Sequence, residues 1–276
     1  MSSLQEIEHQ PSVIYSLVGN GENVLQGEWP DRRYSQVQNL TLSYYPANGA
    51  ACAQAMIYGG GGYVELVHDR EGVEIALWLN KFGIDAYVVT HRLPGCLDEN
   101  GDKFSFDIAL QDGLKSMSFI AEKSPDLPLF HIGLSSGGHL AGVMACQLSP
   151  LKCLGAIIAY APINANHSEY KYPPGKPDYP PIEKQAFYDA WPIGIADLPH
   201  GLPCVPLFLA YALNDNAVPI QHALNLMQAA QSHQLDVETH IFPDAPHGFA
   251  LRDRQGTHQA WSMLAENWIK EKLNNK

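Results

Sequence analysis

The stretch Leu129-Phe-His-Ile-Gly133-Leu-Ser135-Ser-Gly137-Gly-His-Leu-Ala141 decides how this chain folds. Its first half is apolar and β-prone, its second half is small and helix-compatible, and the two halves meet at a G-x-S-x-G pattern. A strand over 128–134 that runs into Ser135, and a helix that leaves near Ser136, make the strand, sharp turn and helix that lift a serine hydroxyl clear of a sheet edge. Such a turn forces the serine backbone into a strained conformation, and the flanking glycines are there because side chains would collide where strand and helix cross so closely. Ser136 fits the nucleophile position poorly, since Leu134 would then flank it and its bulk would obstruct the turn. A chain with 23 glycines shows the bare pattern by chance about once in ten tries. The strand and helix on either side are what give it weight.

Working outward, short apolar runs alternate with longer segments of helical period. Ala55-Met-Ile-Tyr58, Ile84-Asp-Ala-Tyr-Val-Val89, Leu129-Phe-His-Ile132, Leu154-Gly-Ala-Ile-Ile-Ala159 and Val205-Pro-Leu-Phe-Leu-Ala210 read as buried parallel strands, and a further strand is expected over 237–242. Phe106, Ala109, Leu110, Leu114, Met117, Ile120 and Ala121 recur at three and four residues, marking a helix that ends before Ser124-Pro125. Segments 73–82, 139–148, 223–230 and 261–269 have the same character. This alternation predicts an α/β fold with a mostly parallel sheet and helices on both faces, in one domain over 1–276. Binding sites then lie at the carboxyl ends of the strands. Residues 163–203, rich in Pro, Tyr and His, break the pattern and read as a lid or loop insertion. The first thirty-five residues suggest no clear element.

A serine hydroxyl needs a base, and the base needs a partner that fixes its tautomer. Asp215 follows an apolar strand in Leu213-Asn-Asp215-Asn-Ala-Val-Pro219, ahead of a helix that opens with proline. His247 follows the next strand in Pro243-Asp-Ala-Pro-His247-Gly-Phe249. Ser135, Asp215 and His247 therefore occur in the chain order this architecture uses. Twelve histidines make any single one a weak candidate, but His247 stands out by its loop and by Gly248, which permits close approach. Asp244 shares a loop with the base and suits a turn; His139, four residues after the serine, reads as structural. Tyr58-Gly-Gly-Gly-Gly-Tyr63 directly after a strand leaves backbone N–H groups unobstructed, as a developing oxyanion requires, and the N–H of Ser136 at a helix start is the natural second donor. A phosphate cradle would need the G-x-x-x-x-G-K-[ST] spacing, which is absent.

Composition narrows the remaining classes. A formal net charge of -12 without a run of Lys or Arg argues against nucleic acid or an anionic membrane as partner. The start of the chain lacks an apolar secretory segment and no stretch has the length of a membrane span, so a cytoplasmic protein is expected. Five cysteines without a CxxC fit reduced packing residues, and no HExxH or clustered ligand set points to a metal. Oligomeric state has no signature in the sequence.

Taken together, Gly59-Gly-Gly-Gly-Tyr63, Glu71-Gly-Val-Glu-Ile-Ala76, the strand 86–90 with His91-Arg92 after it, Gly133-Leu-Ser-Ser-Gly-Gly-His-Leu-Ala141, Asp215 to Pro219 and His247-Gly-Phe249 resemble the α/β-hydrolase esterases of the acetyl-esterase or acetylxylan-esterase-like type. The resemblance covers most of the chain. It implies the α/β-hydrolase fold, removal of acetyl or another short acyl group from a small-molecule ester, often a sugar, no metal or organic cofactor, and oxyanion donors at Gly60, Gly61 and Ser136. Gly59 departs from the Pro or His usual before the glycines, and Ser136 from the usual Ala. An amide hydrolase such as an aryl formamidase or a peptidase, and a non-catalytic binding protein, are the competing classes. A formamidase usually carries H-G-G-x-W at the glycine turn, an oligopeptidase a large propeller, and a binding protein needs no complete triad. Tyr170, Tyr172, Tyr179, Tyr188 and Trp191 of the insertion either present aromatic faces to a sugar or pack the insertion onto the body, and the sequence leaves both readings open.

Overall fold

A computed structural model describes residues 9–164, 182–252 and 255–274. Eleven strands occur among them: β1 (Val13–Val18), β2 (Val24–Gln26), β3 (Arg33–Gln36), β4 (Leu40–Tyr45), β5 (Ala53–Tyr58), β6 (Leu66–Val67), β7 (Ile84–Thr90), β8 (Leu129–Leu134), β9 (Cys153–Ala159), β10 (Leu207–Ala212) and β11 (Val237–Phe242). Eight form one sheet in the order β1-β4-β7-β5-β8-β9-β10-β11, while β2, β3 and β6 make a small separate sheet. The pairs β1/β4 and β4/β7 are antiparallel, and every pair from β7 to β11 is parallel. This is the α/β-hydrolase fold. The strands β5, β7, β8 and β10 are buried along their whole length, the burial their unbroken apolar runs call for.

Helices α1 (Glu74–Asn80), α2 (Ile108–Lys123), α3 (Ser136–Ala145), α4 (Ile182–Ala190), α5 (Gln221–Ser232) and α6 (Trp261–Asn274) cover the sheet. Ala109, Met117, Ile120, Leu140, Val143, Ala223 and Leu226 bring α2, α3 and α5 into one core on one face. Ile75, Leu79, Trp261, Trp268 and Ile269 bring α1 and α6 into a second core on the other. Helix α2 stops at Lys123 because Pro125 disfavours helical backbone at the residue before it. Strand β10 starts later than its apolar run, at Leu207, because Pro206 lacks an N–H; its carbonyl still accepts the Ala156 N–H at 2.9 Å. Helix α3 starts at Ser136, immediately after the sharp turn, and α1 is preceded by a π-helical turn over Asp69–Val73.

Of the insertion 163–203, Tyr170, Tyr172 and Tyr179 lie outside the described residues. In α4, Tyr188 follows the packing reading: it is buried, with its ring 4.5 Å from that of His139 and 5.5 Å from that of Tyr63. Trp191 is turned toward His200, ring to ring at 4.3 Å. Tyr188 ties the insertion to the body, because an amphipathic helix laid over the sheet buries its aromatic stripe first, whereas Trp191, one residue past α4, meets a ring of the insertion itself and is partly buried against the core.

Candidate active site

Ser135 caps α3 with φ 53° and ψ −129°, a left-handed φ that costs a non-glycine residue about 1–3 kcal/mol and is held by its surroundings. Its N–H donates to the Ala159 carbonyl at 2.9 Å, fastening the turn to the end of β9. The flanking glycines are obligatory: a Cβ on Gly133 would lie 2.0 Å from the Gly137 carbonyl oxygen, and one on Gly137 would lie 2.0 Å from that of Tyr58.

The loop after β11 brings His247 onto the serine. The Ser135 Oγ and His247 Nε2 are 3.1 Å apart, and His247 Nδ1 is 2.8 Å from Asp215 Oδ2. Asp215 leaves the loop after β10 with its carboxylate almost fully buried, 1% exposed against 25% for the imidazole. Its Oδ1 accepts the N–H groups of Ala217 and Val218 at 2.8 and 2.9 Å, which fixes the plane of the carboxylate. An ionised carboxylate only accepts, so Nδ1 carries the proton and Nε2 is free to accept from the serine. The three residues expected from sequence to act together are thus hydrogen-bonded in series. Asp244 is exposed on the histidine loop and takes no part.

The glycine turn after β5 follows a path that requires glycine at Gly61, where φ is 123° and a Cβ would lie 2.2 Å from the Glu65 carbonyl oxygen, and it stays left-handed at Gly62, φ 63°. Two anchors hold it. The Gly62 N–H donates to Ser136 Oγ at 2.8 Å, so the serine that replaces the usual alanine has a use for its hydroxyl. The Gly60 N–H donates to Glu71 Oε2 at 2.8 Å. Here the structure departs from expectation: Gly60 aims its donor at a buried carboxylate beneath the turn and is not available to an oxyanion. The N–H groups of Gly61 and Ser136 make no hydrogen bond among the described residues, so two of the three expected donors remain open.

Beyond Tyr63, itself at φ 58°, the turn is braced from the helix side. The Tyr63 hydroxyl is 2.9 Å from His139 Nδ1, and His139 Nε2 is 2.7 Å from the Trp191 carbonyl oxygen. A carbonyl only accepts, so Nε2 carries the proton and Nδ1 accepts from the tyrosine. Burial pushes the His139 pKa down to about 4, keeping this imidazole neutral. His139 is structural, as its place in the helix suggests, and it links three elements.

Glu71 and Tyr160 are the residues of the site that sequence reasoning did not single out. Tyr160, immediately after β9 at φ 38°, sets its ring edge-on to His247 with centroids 5.2 Å apart and donates its hydroxyl to Glu71 Oε1 at 3.2 Å. Nothing in the segment Glu71-Gly-Val-Glu-Ile-Ala76 separates Glu71 from Glu74; only the folding of β5 over the π-helical turn does. Among the described residues no group of three or more His, Cys, Asp or Glu could hold a metal ion, and no helix is long and apolar enough to cross a membrane.

The sequence pattern of the prolyl oligopeptidase family matches residues 126–276, more than half of the chain, from the approach to β8 through the final helix. This chain belongs to that family. The matched span includes Ser135, Asp215 and His247 but not the glycine turn. An acetylxylan esterase of Xylanibacter ruminicola is 25% identical over 222 residues, covering 76% of this chain and 44% of that protein. The chain thus spans less than half the length of this relative. Among solved structures, an acetyl ester-xyloside bifunctional hydrolase from Caldicellulosiruptor lactoaceticus superposes with a TM-score of 0.64 at 21% identity, over 84% of this chain and 88% of that one. A sugar hydrolase from Lactococcus lactis gives 0.68 at 18% identity, over 92% and 99%. At these identities the two structures speak for the α/β-hydrolase fold.

Proposed function

We propose that this protein is a serine hydrolase that cleaves short-chain carboxylic esters, acetyl esters of sugars among them, through an acyl-enzyme. The observation that carries the proposal is the relay Ser135–His247–Asp215, with contacts of 3.1 and 2.8 Å and one consistent tautomer. In the first half-reaction Ser135 Oγ attacks the ester carbonyl carbon while its proton passes to His247 Nε2. The carbonyl oxygen becomes an oxyanion facing the N–H groups of Gly61 and Ser136, and Asp215 stabilises the imidazolium. Collapse breaks the bond to the alcohol, which leaves with the Nε2 proton. Water then attacks the acyl carbon, giving a proton to His247 Nε2; the bond to Ser135 Oγ breaks, Oγ takes that proton back, and the carboxylic acid leaves.

The acetylxylan esterase relative supports acetyl transfer to water, and the glycine turn departs from the formamidase form. Membership of the prolyl oligopeptidase family favours one alternative, hydrolysis of a peptide bond by the same relay. An aryl acetate, acetylated xylose or xylo-oligosaccharide, N-formylkynurenine and an aminoacyl-proline anilide, compared in parallel, separate these readings. Ser135→Ala is expected to lose on the order of 10⁴ to 10⁶ in kcat while folding normally, and a fluorophosphonate to label Ser135. A Ser135→Ala enzyme that keeps a tenth of wild-type activity defeats the assignment. Turnover of the anilide with acetates left intact moves the function to peptides.

A further inference from the structure

Glu71 lies outside the relay yet sits beside the turns that carry Ser135 and His247. Its buried carboxylate accepts the Gly60 N–H at Oε2 and the Tyr160 hydroxyl at Oε1, at 2.8 and 3.2 Å. Gly60 is pressed between this carboxylate and the nucleophile: a Cβ there would stand 2.5 Å from Glu71 Oε2 and 2.6 Å from Ser135 Cβ. A Cβ on Gly248, the residue after the base, would stand 3.8 Å from Glu71 Oε1. One carboxylate therefore adjoins the glycine turn, the serine wall and the histidine loop at once.

These two hydrogen bonds do not by themselves require an acid. A glutamine could accept from Gly60 and donate to the Tyr160 oxygen in the same place without the cost of burying a charge. Burial pushes the Glu71 carboxyl above its ordinary range, while the Gly60 N–H, Arg70, His247 and the Tyr160 hydroxyl pull it back. The groups that face it are Arg70 on its own turn, Tyr160 at the end of β9 and His247 on the loop after β11, with Asp215 behind the imidazole. Of these, His247 is the one that gains a positive charge during acyl transfer.

We propose that Glu71 is a positioning residue of this site, which fixes the glycine turn through Gly60 and, as a second carboxylate beside the relay, favours the imidazolium formed when His247 takes the Ser135 proton. This deepens the ester-hydrolase reading and rests on it. It also explains why Gly60 is turned away from the substrate: its donor holds the charged group in place, leaving Gly61 and Ser136 to meet the oxyanion.

Kinetics of Glu71→Gln test the idea, because the amide still accepts from Gly60, meets Tyr160 with the direction of that hydrogen bond reversed, and removes the charge. With aryl acetate, kcat falls about 3- to 10-fold, KM stays within about twofold, and the acid limb of kcat/KM moves down by about half to one pH unit. The direction follows from the charge: a carboxylate that favours the imidazolium holds the limb up, and its loss lets the base work at lower pH. Glu71→Ala, which also releases Gly60, loses about 100-fold. Glu71→Asp keeps the charge but is too short to hold Gly60, so kcat falls while the limb stays nearer wild type than in Glu71→Gln. Should Glu71→Gln fail to fold, Tyr160→Phe removes one hydroxyl from the same carboxylate, and several-fold loss of kcat at constant KM is expected. An active wild-type enzyme whose Glu71→Gln variant matches it in kcat and in acid limb overturns this proposal alone, as does a variant changed only in KM and melting temperature. A wild-type chain that is not labelled at Ser135 and hydrolyses no ester overturns the hydrolase reading together with it.

Discussion

Asp215→Asn exchanges one carboxylate oxygen for an NH₂ group and should reverse the polarity of the whole relay. In the native site Asp215 Oδ1 accepts two backbone N–H groups, from Ala217 and Val218, while Oδ2 accepts the proton on His247 Nδ1. An asparagine has one oxygen, and the two backbone donors claim it, since an NH₂ group cannot accept from them. The NH₂ is then forced toward His247 Nδ1, which must turn from donor to acceptor. Its proton moves to Nε2, the nitrogen 3.1 Å from Ser135 Oγ, where it blocks uptake of the serine proton. The imidazolium also loses its counter-charge. Together these should lower kcat by roughly 10³ to 10⁴, a barrier increase of about 4–5.5 kcal/mol. Stability should change little, since each bond of the native site has a replacement. Initial rates with aryl acetate, set beside a thermal melt of the same preparation, measure both quantities. An Asp215→Asn enzyme within threefold of wild type, or one whose lost activity tracks a lost fold, would refute the reasoning.

His139→Leu leaves the Tyr63 hydroxyl and the Trp191 carbonyl without their partner, so a loss of about 3 kcal/mol and a drop in melting temperature of about 6–10 °C are expected. Gly137→Ala places a Cβ 2.0 Å from a backbone oxygen and should give insoluble or unfolded protein; a soluble, active variant would mean that strand and helix do not cross as described. Burial holds the pKa values of His68 and His139 at about 4 and that of His131 at about 3, all below the value of an unfolded histidine. The unfolded chain therefore binds more protons between about pH 4 and 6.5, and stability falls on acidification through that window, by up to about 1.4 kcal/mol per pH unit for each histidine. Melting temperatures from pH 7 to 4 check this, and a flat profile would contradict it. Aryl acetate should exceed aryl octanoate by at least about tenfold in kcat/KM, a ratio that direct comparison of the two esters supplies.

The elbow at Ser135 was legible in the sequence because its determinants are local: two glycines, an apolar strand before and small residues after. Asp215 and His247 were legible for a related reason, since each sits in a turn-rich loop directly after a strand, so chain order implied spatial order. Strand β4 was missed because Thr41 and Ser43 interrupt its apolar run, and β2 and β3 because they are short and largely exposed. The resemblance implies Gly60 as an oxyanion donor, but its N–H is taken by Glu71, eleven residues on, a partner that the glycine run itself does not reveal. For Tyr188 the sequence leaves a pocket role and a packing role open, and contacts with Tyr63 and His139, distant in the chain, decide for packing.

The bracket from Tyr63 through His139 ends on a main-chain atom, the carbonyl of Trp191. Any residue type at that position offers the same oxygen. Position 191 can therefore exchange its side chain without removing the oxygen that braces the glycine turn, whereas Tyr188, whose ring lies 4.5 Å from that of His139, is tied to the bracket by its side chain. Variation at position 191 is insulated from the reaction centre in a way that variation at position 188 is not, which makes 191 the place where a library of variants can search for new substrates while the chemistry stays intact.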